Sequence, residues 1–369
     1  MSINDNKIKA GIIGATGMVG QRFISLLENH PYFDIGALAA SPRSAGRKYQ
    51  EAVGGRWKMP EGIPENIKNM VVLDASNIEI VSGVCDFIFC AVEMPKDETK
   101  KLEESYAKAG IPVVSNNSAC RSCPDVPMLI AEINSSQLEV IETQKKRLGT
   151  KTGFIAVKPN CSIQSYVPML TPLLKYGLKE AVVTTYQAIS GAGKTFAEWP
   201  EMIDNVIPYI GGEEEKSEKE PLKVWGTVKN GEIQNAESPV ITSQCIRVPV
   251  TNGHLAAVFV KFENPDKAPK KDEIIELWES FSGEPQVLNL PSAPKQFIHY
   301  FKEDDRPQTK SDRDLENGMA VSAGRLREDP AGLFDYKFVG LSHNTIRGAA
   351  GGGVLSAELL YKKGFISKK

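Results

Sequence analysis

Histidine is scarce: His30, His254, His299 and His343 are the only four in 369 residues. A histidine-built metal centre is hard to assemble from so few, and no metal is expected. Cysteine is sparse as well. Cys85, Cys90, Cys120, Cys123, Cys161 and Cys245 do not make a disulfide framework in so long a chain. Cys120-Arg121-Ser122-Cys123 has CxxC spacing, but a second ligand pair is missing, and neither a metal nor a redox use is favoured for it. Neither charge sign dominates. The formal net charge is −2 and no Lys/Arg stripe stands out, so a nucleic-acid partner is not expected. No apolar run approaches the ~20 residues that span a bilayer, which removes the membrane from the expected partners. The segment from Met1 to Lys7 lacks the charged and apolar regions of a leader, so a cytoplasmic protein is expected.

What remains is ordinary globular material, 41% apolar and 24% charged, in a length that implies two domains. Its focus is Pro159-Asn160-Cys161-Ser162. The apolar run Gly153 to Val157 reads as a buried strand, and Ile163 to Leu174 can start as a helix. Cys161 would then stand at a helix N-terminus, where the dipole and unpaired N–H groups lower a thiol pKa and activate sulfur. A buried structural cysteine fits the same position, and position alone leaves both readings open.

The first sixty residues carry a second signal. Ile8 to Ile13 is a β-rich run leading into Gly14-Ala15-Thr16-Gly17-Met18-Val19-Gly20, and Gln21 to Glu28 has helical spacing. Strand, glycine turn and helix in that order form a dinucleotide fingerprint, here GxxGxxG. Gly14, Thr16, Gly17, Met18 and Val19 would cradle a pyrophosphate on the helix N-terminus. The second strand, Ile35 to Ala40, ends in Ser41-Pro42-Arg43-Ser44 rather than in a carboxylate. Ser41, Arg43 and Ser44 suit a 2′-phosphate, so NADP is the cofactor expected; an exposed basic turn is the other reading.

Further strands read at Met70 to Leu73, Phe87 to Val92 and Ile111 to Val114, with a polar helix from about Glu98 to Ala109. Pro112 should sit at the start of its strand, because it cannot donate to a ladder. This alternation predicts an α/β, Rossmann-type, doubly wound parallel sheet. From about Val182 longer β runs follow one another: Val182 to Ala188, Cys245 to Val250, His254 to Phe262, Met319 to Leu326 and Phe334 to Leu341. They predict an α+β second domain with a mainly antiparallel sheet. Pro208 to Glu220 looks charged and mobile, and a final helix is expected from about Asn344 to Lys362. The expected division is residues 1–158 for NADP binding, completed by 344–369, and 159–343 for catalysis and dimerisation.

A nicotinamide domain followed by a helix-capped cysteine suggests aldehyde chemistry through a thioester. That scheme needs a base near sulfur, and His254 in Thr251-Asn252-Gly253-His254 has the best context. These pieces, with Ser41-Pro-Arg-Ser44-Ala-Gly46, Ser115-Asn-Asn-Ser118, Lys158-Pro-Asn160-Cys161-Ser162, Gln187-Ala-Ile-Ser190-Gly-Ala-Gly193-Lys194, Arg247-Val-Pro-Val250 and Asn344-Thr-Ile-Arg347-Gly348, run in order along nearly the whole chain. Together they resemble the aspartate-semialdehyde dehydrogenase family, in the form found in archaea and fungi.

The resemblance implies a role for each matching residue. Cys161 is the nucleophile, His254 the acid/base that takes its proton and later activates phosphate, and Gln187 orients the substrate. Arg247 holds the substrate carboxylate and Glu213 its amino group, while Arg121, Asn160 and Lys216 form the phosphate site. Ser190, Gly191, Gly193 and Asn344 complete the cofactor site. Glu220 and Lys223 repeat the i, i+3 spacing of Glu213 and Lys216, so both pairs stay open. The implied reaction converts L-aspartate 4-semialdehyde, phosphate and NADP reversibly to L-4-aspartyl phosphate and NADPH. In biosynthesis it runs toward the semialdehyde and on to lysine, threonine and methionine. The family also implies a homodimer or homotetramer. Short acyl-CoA reductases such as malonyl-CoA reductase share the fold but should lack the phosphate set. N-acetyl-glutamyl-phosphate reductases normally carry Pro-Gly before the cysteine, where this chain has Pro159-Asn160. A non-catalytic NADP-binding regulator should have lost Cys161 or His254, and both are present.

Overall fold

The computed structural model describes residues 7–369, so the reading of the first six residues lies outside it. Six strands form the first sheet: β1 (Ile8–Ile13), β2 (Phe33–Ala40), β3 (Leu73–Asp74), β4 (Phe87–Cys90), β5 (Val113–Ser115) and β6 (Ile155–Val157). They are all parallel, in the order β3-β2-β1-β4-β5-β6. A parallel sheet is covered on both faces, so its strands must be apolar on both. In β4, Phe87 and Phe89 join one core while Ile88 and Cys90 join the other. The strand order reverses between β1 and β4, and the carboxyl ends of that pair open a crevice.

Two expectations shift here. Met70 to Val72 does not pair as a strand of the sheet. Val72 exchanges backbone bonds with the 46–47 turn and Val71 bridges Lys48, so β3 begins only at Leu73. Pro112 lies just ahead of β5, its carbonyl accepting from the Ile88 N–H at 2.9 Å.

The second sheet is built from β7 (Leu178–Gln187) and, after a small hairpin β8 (Thr227–Lys229) and β9 (Glu232–Gln234), from β10 (Val240–Arg247), β11 (His254–Phe262), β12 (Ile298–Phe301), β13 (Val321–Glu328) and β14 (Tyr336–Ser342). Its order is β10-β7-β11-β14-β13-β12. The three inner pairings are antiparallel and the two outer ones parallel, so the sheet is mixed with an antiparallel centre. Burial alternates strictly along β11, as expected of a strand with one face on the core.

The segment read as mobile is a helix, Glu213–Val224, with three glutamates in its first turn against the positive end of its dipole. Its buried face is polar, because Glu213, Ser217 and Glu220 have partners waiting in the site. The final helix starts later than expected, at Gly351–Lys362. Ahead of it the chain makes a wider turn over Ile346–Ala350, held by His343 Nδ1, which accepts the N–H groups of Thr345 at 3.3 Å and Ile346 at 3.2 Å. From Gly351 to Leu360 every side of this helix is buried. Val354, Leu355, Leu359 and Leu360 join the core of β1, β4 and the first helix, Met18–Leu27. Glu358 ties it down further, with His30 Nε2 at 2.8 Å.

Arg347 is buried where the two sheets meet. Its Nη1 donates to Glu132 Oε1 at 2.7 Å, a second arm reaches Glu132 Oε2, and its guanidinium lies 4.5 Å from the Phe297 ring centre. Removing one partner of such a pair strands a charge in an apolar site. Glu132→Ala should therefore cost about 3–5 kcal/mol and lower the calorimetric melting temperature by several degrees. An unchanged melting temperature would show that the pair carries no net stability.

Candidate active site

The crevice between β1 and β4 is the floor of one cavity of about 920 Å³ that reaches to Cys161. At one end, the turn after β1 comes within touching distance of the next strand. Gly14 has φ +88°, and a Cβ there would overlap the Ala91 carbonyl, so only glycine fits. Thr16, Gly17, Met18 and Val19 line the cavity, and no side chain caps the helix that starts there. Ser41 and Arg43 line the same end from beyond β2, whereas Ser44 is buried beneath the turn and does not reach the cavity. Asp74, at the end of β3, also lines it, its carboxylate engaged by the Ser76 N–H at 2.8 Å.

At the other end, β6 delivers Cys161. The chain does not continue as a long helix. Cys161 precedes one 3₁₀ turn, Ser162–Ser165, followed by a four-residue helix, Val167–Leu170. So short an element carries little dipole, and the expected lowering of the thiol pKa does not follow from it. Burial instead pushes the thiol up to about 11, with the Glu213 charge adding to it and Arg121, Lys158 and Arg247 opposing.

Hydrogen bonds fix the turn that carries sulfur. Asn160 Oδ1 accepts from the Ser162 N–H at 2.8 Å and its hydroxyl at 2.6 Å. Asn160 Nδ2 donates to both Glu213 oxygens, at 2.9 and 3.1 Å, and the Asn160 N–H donates to Glu220 Oε2 at 2.6 Å. On the far side stands Gly348, where a Cβ would lie 2.8 Å from that of Cys161.

His254 opens β11 fully buried, with Nε2 3.4 Å from Cys161 Sγ. The Ala188 N–H donates to its Nδ1 at 3.1 Å. That contact assigns the proton of the neutral ring to Nε2, facing sulfur. Burial, with the Arg247 charge next, pulls the imidazole down to about 3, so it is neutral at pH 7. The resting pair is thus a thiol beside a neutral imidazole that already holds a proton. His254 is ready to act as the acid; to take the thiol proton it must first release its own.

Gln187 and Arg247 end β7 and β10 side by side in the ladder, and both line the cavity. Arg247 Nη1 donates to the Ala188 carbonyl at 2.7 Å, which braces the guanidinium, and Gln187 Nε2 reaches Glu213 at 3.3 Å. Lys216 Nζ pairs with Glu213 at 2.7 Å. Burial opposes ionisation of Glu213, but Lys216 and Asn160 prevail and hold its pKa below the usual value. The two candidate pairs on this helix separate. Glu213 and Lys216 line the cavity; Glu220 pairs with Arg121 Nη1 at 2.9 Å, and Lys223 turns away to the Arg121 and Cys123 carbonyls. Ser190, Gly191, Gly193 and Asn344 line the wall between the two ends, with Asn344 Nδ2 donating to Ser190 Oγ at 2.8 Å.

Two wall residues carry no role from the sequence reading. Lys158 is buried without a hydrogen-bond partner for its amine among the described residues, and burial, then Arg347, pulls its pKa well down. Asn116 has both amide atoms buried and unpaired. Each stands inside a quoted motif, but a motif does not show which of its side chains point inward.

Residues 9–141 match the model for the NAD-binding domain of semialdehyde dehydrogenases and residues 170–347 that for their dimerisation domain. Along 354 residues the chain is 42% identical to the aspartate-semialdehyde dehydrogenase of Methanothermobacter thermautotrophicus, covering 96% of this chain and 99% of that one. The chain belongs to the aspartate-semialdehyde dehydrogenase family. The family's Aspergillus fumigatus enzyme is 40% identical, with 98% of this chain and 99% of that one covered. The crystal structure of the Candida albicans aspartate-semialdehyde dehydrogenase with NADP superposes with a TM-score of 0.87 at 40% identity, covering 98% of this chain and all of that one.

A thiol raised to about 11 predicts a pH profile for this dehydrogenase in its free state. The thiolate fraction, and with it alkylation of Cys161, should climb about tenfold per pH unit above pH 7. A rate already level at pH 7, followed by mass spectrometry of the Cys161 peptide, would mean that a thiolate pre-exists.

Proposed function

We propose that this chain catalyses the NADP-dependent, reversible conversion of L-aspartate 4-semialdehyde and phosphate to L-4-aspartyl phosphate, through a thioester on Cys161. The observation that carries the reading is Cys161 Sγ 3.4 Å from His254 Nε2, in a cavity continuous with a glycine turn. In biosynthesis the enzyme runs toward the semialdehyde that leads to lysine, threonine and methionine.

The cavity's free end fits a dinucleotide phosphate. A glycine cradle, an uncapped helix start, Arg43 and the unpaired Asn116 amide all offer partners to a polar, anionic group. Gly14, Thr16, Gly17, Met18 and Val19 would hold the pyrophosphate, Ser41 and Arg43 the 2′-phosphate, and Ser190, Gly191, Gly193 and Asn344 the nicotinamide end. NADP supplies or accepts the hydride when bound.

The protein's own residues do the rest. In the biosynthetic direction Cys161 sulfur bonds to the acyl carbon as the carbon–oxygen bond to phosphate breaks, and the thiol proton leaves with phosphate. When the aldehyde departs, the carbon–sulfur bond breaks and sulfur regains a proton relayed through the His254 Nε2 position, which takes its replacement from solvent. Arg247 holds the substrate carboxylate through its planar fork, and Glu213 takes the ammonium. Arg121, Lys216 and Asn160 bind phosphate. Gln187 orients the acyl group. In this reading residues 1–158 with 344–369 bind NADP and residues 159–343 carry the catalysis.

The partner is a second copy. On the open face of the second sheet, Thr184, Tyr186, Gln244, Ile246, Leu255 and Ala257 form cross-strand rows that the chain leaves part-exposed. The matched dimerisation model covers all of these strands. A reducing, cytosolic setting suits a reaction that depends on free thiols, and all six cysteines are free.

With aspartyl phosphate the enzyme should oxidise NADPH, and with malonyl-CoA it should not; equal rates would overturn the reading. His254→Ala should lower kcat by about 10²–10⁴-fold with little change in KM, whereas Arg247→Lys should mainly raise KM. A His254→Ala variant that changed KM alone would reduce His254 to a binding residue. Ala257→Glu places a charge in the middle of the open face and should yield monomers by light scattering. A mass unchanged from wild type would move the interface elsewhere.

A further inference from the structure

The CxxC stretch is the one sequence motif that the reaction leaves unused, and the structure gives it surroundings. Cys120 is buried and Cys123 half-buried, four residues of one turn closed by the Cys123 N–H donating to the Cys120 carbonyl at 3.2 Å. Residues i and i+3 of such a turn bring their Cα atoms within about 7 Å, inside the reach of a disulfide. The two sulfurs lie close enough to perturb each other's ionisation. Lys100, from the helix Lys96–Lys108, brings its charge near the Cys123 sulfur. Lys223 approaches from the other side, donating to the Cys123 carbonyl at 2.5 Å and the Arg121 carbonyl at 2.6 Å. Glu103, buried between Ser115 and Asn117, faces Cys120. Asp125 is a further charge near the pair.

These groups divide the cysteines. Cys120 comes first and Lys100 and Lys223 add to it, holding Cys123 below the usual thiol value against burial and Asp125. Cys120 is pushed up by Cys123, by burial and by Glu103. Cys123 is the half-exposed sulfur and the one favoured as thiolate, and Cys120 the buried one favoured as thiol, the division of labour of an attacking and a resolving cysteine. Among the described residues no group is placed to hold a metal ion here.

We propose that Cys120 and Cys123 form a reversible dithiol–disulfide site, oxidised by hydroperoxides, that governs turnover through Arg121. The Cys123 thiolate attacks one peroxide oxygen, the O–O bond breaks, and sulfenic acid and water result once the leaving oxygen is protonated. Cys120 sulfur then displaces the sulfenic oxygen as a second water, so the dithiol loses two electrons and the peroxide gains them. A dithiol reductant returns both. Arg121 lies between the two cysteines, its Nη1 on Glu220 at 2.9 Å and its Nη2 on the Asn116 carbonyl at 3.0 Å, and it lines the reaction cavity. Drawing the sulfurs into a bond re-forms the turn that aims this guanidinium.

The test treats the full-length enzyme with limiting hydrogen peroxide, then combines non-reducing peptide mapping with the NADPH assay. A mass loss of two hydrogens joining Cys120 and Cys123 is expected, with an about tenfold or greater rise in KM for aspartyl phosphate that dithiothreitol reverses. Cys123→Ser should keep basal activity and escape the reversible loss, and Cys120→Ser should leave a Cys123 sulfenate that dimedone traps. In the unmodified enzyme, iodoacetamide should label Cys123 before Cys161 at pH 7. Peroxide acting equally on wild type and Cys123→Ser, with Cys161 alone oxidised, would overturn the proposal. The activity arm rests on Arg121 serving the substrate site, while the mapping and labelling arms do not. A disulfide that formed without changing KM would therefore overturn the control of turnover but not the reaction assigned to the enzyme.

Discussion

Two carboxylates on one helix face hold the peptide that carries the reactive sulfur. Glu213 and Glu220 stand two turns apart and grip Asn160 from its side chain and its backbone. Asn160 in turn closes the hydrogen bonds of Ser162, so Cys161 is pinned from both neighbours. The same carboxylates position Lys216 and Arg121. Lys216 and Arg121 are thus each held by a carboxylate that is itself buried and hydrogen-bonded. Desolvated charges of this kind persist only when each has a partner, and the network meets that condition before any substrate arrives.

The ends of strands supply what the helix does not. His254, Gln187 and Arg247 occupy the first or last positions of β11, β7 and β10, and pairing of those strands brings them together without a loop having to order itself. The Ala188 backbone serves both bases at once, its N–H on His254 and its carbonyl on Arg247. The backbone of one residue therefore sets the tautomer of one side chain and the direction of the other.

Much of this was legible in the residues. The glycine turn, the ending of β2 without a carboxylate and the placing of β11 at His254 to Phe262 depend on local pattern, and local pattern reads well. The ordered motifs also named Cys161, Gln187 and Arg247, which line one cavity. What failed depended on partners distant in the chain. Pro208 to Glu220 looked like a charged, mobile stretch because the polar face of the helix that starts at Glu213 is buried against Asn160 and Arg121, 53 to 99 residues away. Met70 to Val72 has the composition of a strand, yet it pairs with a turn. The helix after Cys161 stopped early, and with it went the argument for a low thiol pKa there. Ser44 followed its motif but is buried under its own turn.

The C-terminal helix has a consequence for how the molecule comes into being. Its residues Val354 to Leu360 fill the core beneath β1 and β4, elements laid down more than 260 residues earlier. At about 5–20 residues per second of synthesis, that apolar face waits uncovered for well over ten seconds. During that interval the nascent first sheet is unfinished, its apolar face still lacking the helix that covers it. The first domain to leave the ribosome is the last to close, so assembly of the whole chain is gated by its final helix.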